Sequence, residues 1–166
     1  MREMSWPPAR RVEGVLLERP RLAAHALTGR GSTLLSGDLE RAIAALAPGA
    51  PMLGLYALAP EGPHGLRIAR NRALLVTPAP LCAADGWRDG WCATSLDDGW
   101  AAIDVKGPDA PLAVAQGTAA DLETGSPSAA IRFGGLRCLL ARTDAGFRLH
   151  VEASWLTALI TWLEGV

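Results

Sequence analysis

The sequence predicts an α+β fold of two similar halves, each an antiparallel or mixed sheet with helices packed on one face. Three observations lead there. Apolar runs of four to eight residues, bounded by Gly, Pro and Asp, recur along the chain, as short strands do. A few segments place apolar residues at helical spacing instead. In the second half these combine in the order β-α-β-β-β-α, with the long crossovers running through helices, which favours an antiparallel or mixed sheet with helices to one side. The first half repeats a similar order, so residues 12–166 form one domain with halves at 12–93 and 94–166, after a flexible segment at 1–11.

Val12 to Leu17 and Leu22 to Leu27 are apolar runs parted by Glu18-Arg19-Pro20-Arg21, which reads as two strands or one strand interrupted at Pro20. Gly29-Arg30-Gly31-Ser32 reads as a loop. Leu39, Ile43 and Leu46 mark a short amphipathic helix from Asp38, with Ser36 or Asp38 as N-cap and Pro48-Gly49 as its stop. Met52 to Leu58, Leu66 to Ile68 and Arg72 to Val76 form a meander with turn residues at 60–63. Residues 79–93 place Trp87 and Trp91 one helical turn apart, a weak helix because Gly86 and Gly90 interrupt it.

Trp100 to Lys106 is a strand, and Pro108 to Gln116 a helix with proline in its first turn and Gly117 as the residue after its end. Ala129 to Phe133 and Leu136 to Arg142 are strands around Gly134-Gly135. Phe147, Leu149 and Val151 alternate with Arg148 and His150 in a third strand, and Ala153 to Leu163 is a terminal helix with a wide buried face.

Composition narrows function mainly by exclusion. Sixteen Lys and Arg against 17 Asp and Glu leave a formal net charge of -1, which favours neither nucleic acid nor an anionic membrane as partner. No run of about 18 apolar residues is present, so no membrane span is expected. Cys82, Cys92 and Cys138 match neither a disulfide framework nor a C-x-x-C motif and read as reduced core residues of a cytoplasmic protein.

No motif supplies a complete catalytic site. His25, His64 and His150 lie far apart in sequence and read as surface or capping residues rather than as a base or metal ligands. Gly29 to Thr33 lacks the lysine of a phosphate loop and reads as a flexible connection. Asp97-Asp98 is an adjacent acidic pair that could bind a cation or share a proton, although exposure at a strand entry is the simpler reading. Serines occur without a G-x-S-x-G elbow, and the cysteines have no neighbouring histidine. Trp155 and Trp162, seven apart on the terminal helix, serve core packing or a partner interface.

Ser95 to Ala110, a strand entry and strand followed by Gly107-Pro108-Asp109-Ala110, continues to Gly117-Thr118 and Asp121-Leu122. Ile68 to Val76 lies upstream, and Asp144 to Val151 with Trp155 and Trp162-Leu163 downstream. In that order these segments resemble aminomethyltransferase-like proteins, and within them the gamma subunits of heterotetrameric sarcosine oxidase, over about residues 12–166 and most specifically 95–163. The resemblance implies an aminomethyltransferase-like fold and a small accessory subunit packed on larger cofactor-bearing subunits. Flavin, NAD and zinc would sit in those partners, with tetrahydrofolate accepting the one-carbon unit in a domain of the large subunit.

Ser95 and Asp97-Asp98 depart from the family's entry motif, and Leu136-Arg137-Cys138-Leu139 stands where folate-binding relatives carry an acidic pair. No catalytic, cofactor or metal residue is therefore carried over to this chain. Two alternatives stay open: a stand-alone module binding tetrahydrofolate or another small molecule in a cleft, and a homo-oligomer paired through the Trp-bearing helix.

Overall fold

The computed structural model describes residues 14–55, 57–81 and 85–166, whose strands form two six-stranded sheets. In the first sheet, β1 (Gly14–Arg19) and β2 (Leu22–Leu27) lie beside β9 (Trp100–Lys106), followed by β12 (Gly146–Glu152), β11 (Leu136–Thr143) and β10 (Ala130–Phe133), antiparallel throughout. In the second, the order is β4 (Met52–Leu53), β5 (His64–Ala69), β6 (Arg72–Thr77), β3 (Gly31–Gly37), β8 (Trp91–Ser95) and β7 (Gly86–Arg88). Its only parallel pair is β4 with β5, so this sheet is mixed.

Period-two alternation explains how the sheets stack. Leu35, Ala73, Leu75 and Ala93 of the second sheet bury against Leu39, Ala42 and Ile43 of α1 (Leu39–Leu46). Ile103, Val105, Leu149 and Val151 of the first bury against Val114 of α2 (Ala110–Gly117) and Leu159 and Leu163 of α3 (Leu156–Glu164). The residues between them along the strands, Leu66, Leu74 and Val76 on one sheet and Leu139 and Ala141 on the other, form a third cluster joining the two inner faces. The layers thus run helix, sheet, sheet, helix. Each sheet carries its helices on one face, as expected, and turns the other toward its neighbour. Among the described residues no helix is long and apolar enough to cross a membrane.

Sheet membership does not divide at residue 93. β1 and β2 pair with β9 and so belong with the C-terminal strands, while β3 to β8 make the second sheet. Residues 86–95 form a hairpin rather than a helix, because Asp89 (φ 41°) and Gly90 (φ 87°) make a two-residue turn of the left-handed kind that strand twist favours. That puts Trp87 and Trp91 on opposite faces, the first 75% exposed and the second buried. Gly31 begins a buried strand instead of closing a loop: a Cβ there would lie 2.4 Å from Thr77 Oγ1.

The helix expected from Pro108 starts at Ala110 and includes Gly117, over which the Phe133 ring packs. Only Met52–Leu53 of the 52–58 run is a strand, followed by a parallel bridge from Leu58 to Arg142. The terminal helix opens with a 3₁₀ turn at Ala153–Trp155. Segment 1–11 and Cys82 lie outside the described residues; Cys138 is buried and Cys92 half-buried.

Candidate functional site

The described part of the molecule concentrates its buried polarity between the two sheets. Register sets the first row: Asp104 on β9 lies directly between His25 on β2 and Arg148 on β12. Arg148 grips the Asp104 carboxylate with both arms of its guanidinium, Nε at 2.6 Å and Nη2 at 3.1 Å, and each side chain is 4% exposed or less. Such a fork is the strongest geometry an arginine offers a carboxylate. Lys106 Nζ approaches Asp104 Oδ2 at 3.2 Å, and Glu61 Oε1 lies 3.9 Å from Arg148. Arg30, from the segment read as a loose connection, reaches Glu61 Oε2 at 2.9 Å and so ties the start of β3 to this network.

Two histidines complete the cluster. His64 at the start of β5 and His150 on β12 are fully buried, although the sequence reading placed them at the surface. His64 Nδ1 lies 2.9 Å from the Gly62 carbonyl, to which it donates; Nε2 of both rings has no partner among the described residues. Burial lowers the pKa of each, and neighbouring Arg148 and Arg30 push the same way; His150 falls to about 3. Both rings are therefore neutral at physiological pH. Burial would raise the Asp104 carboxyl, but Arg148 and Lys106 outweigh it and hold it below the ordinary value, so it stays ionised.

A shallow cavity of about 270 Å³ opens over this network, lined by Glu61, Asp104, Lys106, Thr143, Asp144 and Arg148 among others. Asp104 is paired with Arg148 and held below its ordinary value, so it does not serve as an acid, and the two histidines do not line the cavity. Asp104 and Arg148 clamp neighbouring strands of the first sheet, and the approach of Glu61 to Arg148 links that pair to the segment leading into β5. The network's residues escaped the sequence reading because the polar phase of β12 was taken to face water; it faces the other sheet. The available signal was Asp104, a carboxylate in the middle of an otherwise apolar strand.

At the opposite end the inner faces part, leaving a cavity of about 760 Å³ walled by Leu34, Ile68, Trp100, Ile131 and Leu139, with Arg72, Arg132 and Arg137 also lining it.

Asp97 is committed to the fold. Its Oδ1 accepts from the Ser32 amide at 2.7 Å and its Oδ2 from the Ser95 hydroxyl at 2.9 Å, fastening the β8–β9 connection to β3. Asp98 is exposed beside it. Among the described residues no cluster of three His, Cys, Asp or Glu is arranged to hold a metal. Trp155 and Trp162 part company: Trp162 packs edge-on to Phe133 with centroids 4.7 Å apart, whereas Trp155, on the 3₁₀ turn, is 51% exposed.

With this geometry in place, the chain was compared with known proteins. No protein-family model matches it, and no curated protein does. A solved structure does: a chain of the heterotetrameric sarcosine oxidase from Corynebacterium sp. U-96, in complex with pyrrole 2-carboxylate, superposes with a TM-score of 0.71 at 19% identity, over 86% of this chain and 81% of that one. The two share a fold. At this identity the likeness reaches the arrangement of strands and helices and not the side chains of a site. The match covers most of each chain, more than either sheet alone could supply.

Proposed function

We propose that this chain is a non-catalytic, gamma-like subunit of a heterotetrameric sarcosine oxidase-type complex, with an aminomethyltransferase-like fold, that works in the cytoplasm in sarcosine catabolism and one-carbon metabolism. The observation that carries the reading is the shared fold, which spans 86% of this chain and 81% of a chain from such an enzyme. Two features support it. In the buried network Asp104 and Arg148 are committed to each other, a structural use of charge. Trp155, Leu112 and Trp87 are large apolar side chains more than half exposed, the kind of anchor a larger partner covers. On this reading flavin, NAD and tetrahydrofolate belong to the partner subunits, and this chain holds none of them.

The test is co-expression with the large subunits of a sarcosine oxidase-type complex, followed by size-exclusion chromatography. Co-elution in a stoichiometric complex is expected; elution of the chain alone, near its own 17.4 kDa, refutes the reading.

A further inference from the structure

Sheet register brings like charges together on the wall of the larger cavity. Arg132 on β10 and Arg137 on β11 are direct cross-strand partners in the antiparallel pair. Directly opposed like charges repel, and a bound anion would relieve that repulsion, although both side chains are exposed. Alternation places both on the inner face with Leu139, whereas Ile131, Phe133, Cys138 and Leu140 turn toward the helices. Arg72, at the start of β6, shares the phase of Leu74 and Val76 and so approaches the same space from the other sheet.

Three guanidiniums therefore line one cavity against a single carboxylate, Glu152, and none of the three forms an ion pair with it or with any other carboxylate among the described residues. Arg132 donates only to the Gly135 carbonyl at 3.0 Å, which fixes its position without neutralising it. Most of the remaining inner wall is apolar, with Leu34, Ile68, Trp100 and Leu139.

We propose that this cleft is a binding site for a small organic acid with an apolar body, its carboxylate held by Arg132 and Arg137, with Arg72 closing from the opposite sheet, and its body against Trp100, Ile68 and Leu34. The volume of about 760 Å³ falls within the range of small-molecule sites, and an apolar wall with a few convergent polar groups is how such sites are built. Arginine suits the acid end because its planar fork matches a carboxylate. The site lies at the far end of the inter-sheet space from the Asp104–Arg148 network and does not depend on a subunit role.

Titration calorimetry on the full chain tests it with three probes of one size: 4-phenylbutyrate, 4-phenylbutanol and 4-phenylbutylamine. The acid should bind at least tenfold more tightly than the alcohol, the amine should bind more weakly than either, and raising salt should narrow the gap. The double variant Arg132→Gln/Arg137→Gln should bring the acid to the level of the alcohol while leaving the alcohol's affinity in place and the melting temperature unchanged or raised. Equal affinity for acid and alcohol in the parent chain, or no heat with the acid at millimolar concentration, overturns the proposal. So does salt-sensitive self-association, seen by light scattering, that the same double variant abolishes, because it would assign the cleft to a second copy of the chain.

Discussion

Removing Asp104 should cost this protein a large part of its stability, and replacing the whole ion pair should restore most of it. In Asp104→Ala the Arg148 guanidinium, 3% exposed, keeps only Glu61 at 3.9 Å, while the half-exposed Lys106 can turn to water. A buried charge stripped of its partner costs about 3–5 kcal/mol. For a domain whose net stability is on the order of 5–15 kcal/mol, that is about a fifth or more of the total. At roughly 2–4 °C per kcal/mol for this chain length, the melting temperature should fall by about 6–20 °C. Asp104→Leu/Arg148→Met exchanges two desolvated charges for apolar side chains, and such swaps of a buried pair are often neutral or stabilising. Urea denaturation followed by tryptophan fluorescence measures both variants. If the single variant loses less than about 1 kcal/mol, or the double is as unstable as the single, Asp104 and Arg148 are not the buried, mutually dependent pair described above.

Acid should destabilise the fold through its two buried histidines. His64 and His150 have lowered pKa values in the folded state, His150 about 3, against roughly 6.5 in the unfolded chain. Below the unfolded value the unfolded state binds protons that the folded state refuses, so stability is intact above pH 7 and falls by about 1.4 kcal/mol per pH unit for His150 from about pH 6 down to about 3, with His64 acting in the same direction. His150→Gln should flatten the urea midpoint between pH 6 and 4, and an unchanged slope would contradict that assignment. Gly117→Ala, normally a gain of up to about 1 kcal/mol in a helix, should here cost roughly 1–3 kcal/mol in a melting experiment, because the new Cβ would lie 2.4 Å from the buried Phe133 ring that Trp162 holds in place. Trp155→Ala should change the stability of the isolated chain by less than about 0.5 kcal/mol and weaken partner binding at least tenfold in a pull-down titration.

Local order was written plainly in the residues. The β10–β11 hairpin follows from Gly134-Gly135 between two apolar runs, and both glycines take the left-handed φ their turn requires. The first helix follows from Asp38, whose side chain accepts from the Arg41 amide as an N-cap should. The second hairpin was also legible in Asp89-Gly90, but the i, i+4 spacing of Trp87 and Trp91 suggested a helix instead. Adjacent turn residues are the more specific sign, since two tryptophans four apart arise as readily on a hairpin.

What residue order alone determined was the α+β class, most strands, the first and last helices and the lack of a catalytic motif. Which sheet a strand joins, and which face of it is wet, depended on tertiary structure. His150 alternates with Leu149 and Val151 in either case; only the arrival of the second sheet buries its polar phase as well, because period-two alternation separates two faces without stating what covers each. The same holds for both ends of the inter-sheet space. Asp104 and Arg148 are 44 residues apart and become partners only through β9–β12 register. Arg72 meets Arg132 and Arg137 only because two separately hydrogen-bonded sheets part at that end.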